Sequence, residues 1–156
     1  MPAIGPEFTR RALLFAALAA PLRADSADQV WDLISSMASA LGNGHAAEFL
    51  SVFDPAMPGY QELRGNVTAL LSQTEVQSSI DLVSNEGDDR SRTVEIDWLL
   101  TMTGSVEVSG AARRQGHVKC RFEKQGRRWR IAGMEPLAFF APPRAGGNRY
   151  NPKEEE

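Results

Sequence analysis

Apolar residues recur at helical spacing through the first half of the chain and at strand spacing through the second. Val30, Ile34, Met37 and Leu41 follow one another at steps of four, three and four, with Trp31 and Ala38 widening the stripe. That spacing describes one buried face of a helix. Ser26 reads as its N-cap, with Gln29 completing an S-x-x-Q capping box, and Gly42-Asn43-Gly44 ends it. A second helix carries Ala46, Phe49, Leu50 and Phe53 and stops at Asp54-Pro55. Pro58-Gly59 opens a third, with Tyr60, Leu63, Val67, Leu70 and Leu71 at offsets 0, 3, 7, 10 and 11.

From Glu75 the period becomes two. Val76, Ser78, Ile80 and Leu82 alternate with Gln77, Ser79, Asp81 and Val83, and Glu86-Gly87-Asp88-Asp89 is a turn. Val94, Ile96, Trp98, Leu100 and Met102 share one face of a second strand, whose other face holds Glu95, Asp97 and Leu99. A Gly-rich link from Gly104 to Gly110 leads to a third, with Val118, Cys120 and Phe122 opposed to His117, Lys119 and Arg121. Gln125-Gly126-Arg127 turns into a fourth, with Trp129 and Ile131 opposed to Arg128 and Arg130. The expected fold class is α+β: three N-terminal helices packed on a curved antiparallel sheet of about four strands. The expected division is a leader (1–24), one domain (25–141) and a disordered tail (142–156) poor in apolar residues.

Composition narrows the chemistry. At 156 residues, 42% of them hydrophobic, the chain has length for one domain and material for its core. A single cysteine, Cys120, rules out an intrachain disulfide and a multi-cysteine metal site, and two histidines leave a histidine-based metal centre short of ligands. There is no Gly-rich phosphate loop and no G-x-S-x-G elbow, so no cofactor is implied. Thr9-Arg10-Arg11, the apolar run Ala12–Ala20 and Ala24 read as a secretory or twin-arginine-like signal, making the expected location periplasmic or secreted. The usual lysine after the twin-arginine motif is missing, and cleavage after Ala19 or Ala24 stays open, as does a short helix of the mature fold. The apolar run is too short to span a bilayer, which takes about 20 residues, so no stable membrane insertion is expected of the mature form.

The net charge of −3 hides an asymmetry. Residues 25–112 hold 3 Arg against 14 Asp/Glu, a balance of −11, whereas residues 113–130 hold 8 Lys/Arg against one Glu, a balance of +7. The basic block suggests either a nucleic-acid patch or strands of opposite sign lying side by side. The second reading fits better. Glu95 and Asp97 share a face, as do Lys119 and Arg121, and Arg128 and Arg130, and antiparallel pairing would set acids opposite bases. The aromatics of the block, Phe122 and Trp129, fall on the apolar face, which leaves none for stacking on bases, and no nucleic-acid partner is expected.

Three helices, a terminal G-x-x-W-R-I strand (Gly126–Ile131) and the apolar E-P-L-x-F-F (Glu135–Phe140) resemble the nuclear transport factor 2-like superfamily over roughly residues 26–141. That group includes ketosteroid isomerase, scytalone dehydratase and polyketide cyclases, and the chain is most similar to its exported bacterial branch. The resemblance implies a cone-shaped, cystatin-like roll with a pocket between the helices and the concave sheet face. The expected pocket residues are Trp31, Phe53, Tyr60, Leu63, Trp98, Leu100, Phe122 and Trp129. No position matches the isomerase's acid–tyrosine set, so no catalytic residue is carried over.

Two kinds of function follow, together with a third of a different class. The first is a non-catalytic binder of a small apolar or amphipathic molecule. The second is a lyase or isomerase for a small cyclic or polyketide-like substrate, using Tyr60 with Asp54 or His45. The third is an association module, a homodimer through the sheet.

Overall fold

The computed structural model describes residues 25–104 and 111–143. The predicted leader, residues 105–110 of the Gly-rich link and residues 144–156 of the predicted tail lie outside the described residues. The elements run α1 (Ser26–Gly42), α2 (Ala46–Leu50), α3 (Tyr60–Gln73), β1 (Glu75–Gly87), β2 (Ser91–Thr103), β3 (Ala111–Gln125), β4 (Arg128–Glu135) and a 3₁₀ helix (Leu137–Phe140). The strands form an antiparallel meander in the order β1–β2–β3–β4, curved and unclosed, with the helices against one face.

The apolar stripe of α1 does what its spacing predicts: Val30, Ile34, Met37 and Leu41 are all buried. Its cap differs from the sequence expectation. Asp25 accepts from the Asp28 amide at 2.9 Å, placing the cap one residue before Ser26. A carboxylate at the positive end of the helix gains from the dipole as well as from the hydrogen bond. Ser26, released from capping, donates its hydroxyl to Asp89 at 2.7 Å and ties the helix start to the turn between β1 and β2.

The second helix is shorter than its apolar pattern suggests and ends at Leu50. The next residues are taken by the outer edge of β4, where Ile131 donates to the Val52 carbonyl and accepts from the Asp54 amide, both at 2.9 Å. Phe53 thereby becomes a bridge residue parallel to Ile131. An unpaired strand edge offers main-chain partners that compete with one more helical turn. Gly59 then starts α3 at φ 81°, and a Cβ there would collide with the Leu137 side chain.

In the sheet, Ile80, Trp98 and Gly116 face one another in one row, and Leu82, Ile96 and Val118 in the next. Bulges fall between Leu82 and Ser84 on β1, and opposite Arg121/Phe122 on β4. The concave face is closed by the 3₁₀ helix, whose Phe139 and Phe140 are fully buried. Phe140 meets Phe49 at 5.2 Å and Trp98 at 5.1 Å between ring centroids, the latter edge-on at 85°. Phe139 lies on Gly116, where a Cβ would come within 2.9 Å of its ring.

The charged strands pair only in part as expected. Glu95 stands opposite Lys119, but Asp97 stands opposite His117, and Arg121 makes its ion pair with Glu123 of its own strand. Arg128 and Arg130 lie opposite Gln125 and Glu123, not the acids of β2, because β4 pairs within the sheet with β3 alone. Cys120 is fully buried in the core, and that burial pushes its thiol up to about 12. Among the described residues no helix is long and apolar enough to cross a membrane.

Candidate functional site: a groove between α1 and β4

The outward side of α1 and the beginning of β4 do not close on each other. Between them runs a groove of about 550 Å³. One wall is the stripe Gln29, Asp32, Leu33 and Ser36, one turn of spacing apart on α1. Ser51 and Val52 line it beyond α2, and the other wall is Arg127, Arg128, Trp129 and Arg130. The indole binds the two walls together, since Trp129 Nε1 donates to Gln29 Oε1 at 3.0 Å across 100 residues of sequence. Trp129 is 6% exposed, and Lys124 Nζ sits 5.8 Å from its ring centroid.

The local sequence explains the wall. Gly126 takes φ 65° in the tight turn between β3 and β4, and the alternation after it sends Trp129 inward and Arg128 and Arg130 to its sides. None of Arg127, Arg128 and Arg130 is in an ion pair among the described residues. Arg130 lies close enough to Asp54 to help hold its carboxyl below the usual carboxylate range, but the Ala56 amide and the Gln125 side chain do most of that.

Of the eight residues expected to line a pocket, Trp129 reaches this groove. Phe53, Leu63, Trp98, Leu100 and Phe122 are at most 1% exposed and belong to the packed core around Phe139 and Phe140. Trp31 and Tyr60 are partly buried against that core. Polar side chains also lie on the concave side. Ser78 accepts from Trp98 Nε1 at 2.7 Å, and Arg114 donates to the carbonyls of Phe139 at 2.7 Å and Ala141 at 2.6 Å. Arg114 lies in phase with Val118, Cys120 and Phe122, and an inward arginine breaks the apolar–polar alternation by which sequence assigns a face.

The polar set considered for catalysis is not brought together. Asp54 accepts from the Ala56 amide at 2.9 Å and from Gln125 Nε2 at 2.6 Å, while His45 faces Glu48 at 3.2 Å on the surface. No hydrogen bond joins either to Tyr60 among the described residues. His117 instead sits between two acids on the convex face, 3.0 Å from Asp97 and 3.3 Å from Glu95. Hydrogen bonds to Asp97 and then Glu95 raise its pKa above the ordinary histidine value. No group of three His, Cys, Asp or Glu side chains able to hold a metal occurs among the described residues.

A conserved protein from Planctomyces limnophilus superposes with a TM-score of 0.61 at 10% identity, over 68% of this chain and 90% of that one. A nuclear transport factor 2-like superfamily protein from Salmonella enterica does so at 0.58 and 14% identity, over 69% and 87%. This chain has the nuclear transport factor 2-like fold. A type 2 hexachlorocyclohexane dehydrochlorinase shares it, with a TM-score of 0.57 at 13% identity over 69% and 80% of the two chains. No family model matches the sequence, and no curated protein matches it either. At these identities the likeness establishes the nuclear transport factor 2-like architecture, a scaffold that carries unrelated functions.

Proposed function

We propose that this protein binds a small amphipathic molecule in the groove between α1 and β4, and that it does so as an exported protein. The observation that carries the reading is the groove itself, about 550 Å³ with an indole, a leucine and a valine set against three arginines that form no ion pair among the described residues. That size and mixture of apolar floor with a few polar groups suit a small-molecule site. Export rests on the basic–apolar–small order of residues 9–24.

The dehydrochlorinase neighbour keeps an enzymatic reading in view, since its name describes elimination chemistry on the same scaffold. A base would be needed within reach of the bound molecule. Asp32 is the groove's carboxylate, and Tyr60, Asp54 and His45 do not converge, so the binding reading is preferred. Native mass spectrometry of the protein purified from its own host tests it. A retained molecule in wild type that is absent from Trp129→Ala is the expected result. A wild-type protein that emerges at the bare chain mass, and takes up none of a panel of amphipathic compounds, would overturn the reading.

A further inference from the structure

We infer that the ligand of the α1–β4 groove is a monomeric amphipathic anion: one carboxylate or sulfonate on a compact apolar body, held by Arg127, Arg128 and Arg130. This rests on the binding role proposed above and narrows its ligand class. Three arginines and one acid, Asp32, line the groove. Like charges at neighbouring positions repel, and a fold commonly answers them with carboxylates. Acids are plentiful in this chain, yet the nearby ones are engaged elsewhere. Glu123, opposite Arg130, is taken by Arg121, and Asp54, close to Arg130, accepts from the Ala56 amide and the Gln125 side chain. An anion entering the groove supplies a counter-charge that no ion pair among the described residues gives these arginines, and the guanidinium fork matches an oxyanion in two-point geometry.

The rest of the groove sets the other features of the ligand. Leu33, Val52 and Trp129 give an apolar floor for the body of the molecule. Asp32, on the opposite wall, repels a second negative group and directs the charged end towards β4. A nucleic acid is a poor occupant, because the one aromatic ring here is 6% exposed with a lysine over it and cannot stack on bases.

The test compares three probes of one shape by titration calorimetry on the full chain: 2-naphthoate, 2-naphthylmethanol and 2-naphthylmethylammonium. Naphthoate should bind roughly tenfold or more tightly than the alcohol, and the ammonium weakest. Arg128→Gln with Arg130→Gln should erase that preference, whereas Arg113→Gln, an exposed arginine outside the groove, should keep it. Naphthoate should also shift the Trp129 indole N–H resonance. Equal affinity for acid and alcohol would overturn the anionic class while leaving the binding role standing. Failure of all three probes to bind would overturn both. Arginine-dependent association with phosphatidylglycerol vesicles, without naphthoate uptake, would overturn the monomeric ligand in favour of a membrane surface.

Discussion

Around Trp98 the gap between helices and sheet is closed by Phe49, Phe139 and Phe140, whereas between α1 and the start of β4 it stays open as a groove walled by arginines. Both regions use an inward-facing tryptophan of the sheet. Trp98 has apolar rings on the helical side and hands its N–H to Ser78 at 2.7 Å. Trp129 meets the polar side of α1 and hands its N–H to Gln29. Closure therefore requires apolar side chains from both layers. The inner stripe of α1 (Val30, Ile34, Met37, Leu41) provides them, and its outer stripe (Gln29, Asp32, Leu33, Ser36) largely does not.

The sharpest way to break this contrast is to open the closed region. Phe140→Ala removes a fully buried ring that touches Phe49, Trp98 and Phe139, and should cost about 3–5 kcal/mol in chemical denaturation. A loss below about 1 kcal/mol would mean that the 3₁₀ helix is not part of the core. A smaller effect comes from overfilling the same place. Gly116→Ala puts a methyl 2.9 Å from the Phe139 ring and should cost about 1–3 kcal/mol, even though alanine suits a strand better than glycine.

At the open region, Trp129→Phe keeps an aromatic ring and removes the bond to Gln29. A loss of about 0.5–1.5 kcal/mol is expected, and Gln29→Ala in the same background should add little from that bond. Full additivity of the two changes in a double-mutant cycle would show that the bond does not couple the walls.

The smallest effect lies on the convex face, outside both regions. The folded state raises the pKa of His117, so its contribution is complete below its ordinary value of 6.5 and is lost as pH rises through the raised one. Glu95 is shifted the other way, chiefly by the Ser84 hydroxyl and then by His117, so its contribution holds above 4.5 and is lost as pH falls through its lowered value. The contributions of His117 and Glu95 are therefore both present between about 4.5 and 6.5. These side chains are substantially exposed, and solvent screening keeps the effect small. Proton NMR should show the His117 titration midpoint falling in Asp97→Asn; an unchanged midpoint would remove Asp97 as the principal cause.

How far the site was legible follows from the same two regions. Alternation placed Trp98, Leu100, Phe122, Trp129 and Ile131 on one side of the sheet correctly, because side-chain phase along a strand is a local property. It did not separate core from groove, because that depends on what the opposite layer presents at each point. Charge sign alone sets Arg128 and Arg130 opposite acids of a neighbouring strand. The meander puts β4 beside β3 and not beside the acids of β2, so Arg128 stands opposite Gln125 and Arg130 opposite Glu123, whose ion pair is with Arg121.

The sequence by itself determined the helical stripes, the strand phase, the turns and hence the α+β class, since each is encoded within a few residues by periodicity and glycine placement. Only the tertiary structure decided that Phe139 and Phe140 fold back onto Trp98, that β4 captures residues 52–54 along its edge, and that Gln29 meets Trp129. Those contacts join residues far apart in sequence. They depend on which surfaces the packed layers leave facing one another, and local pattern carries no record of that.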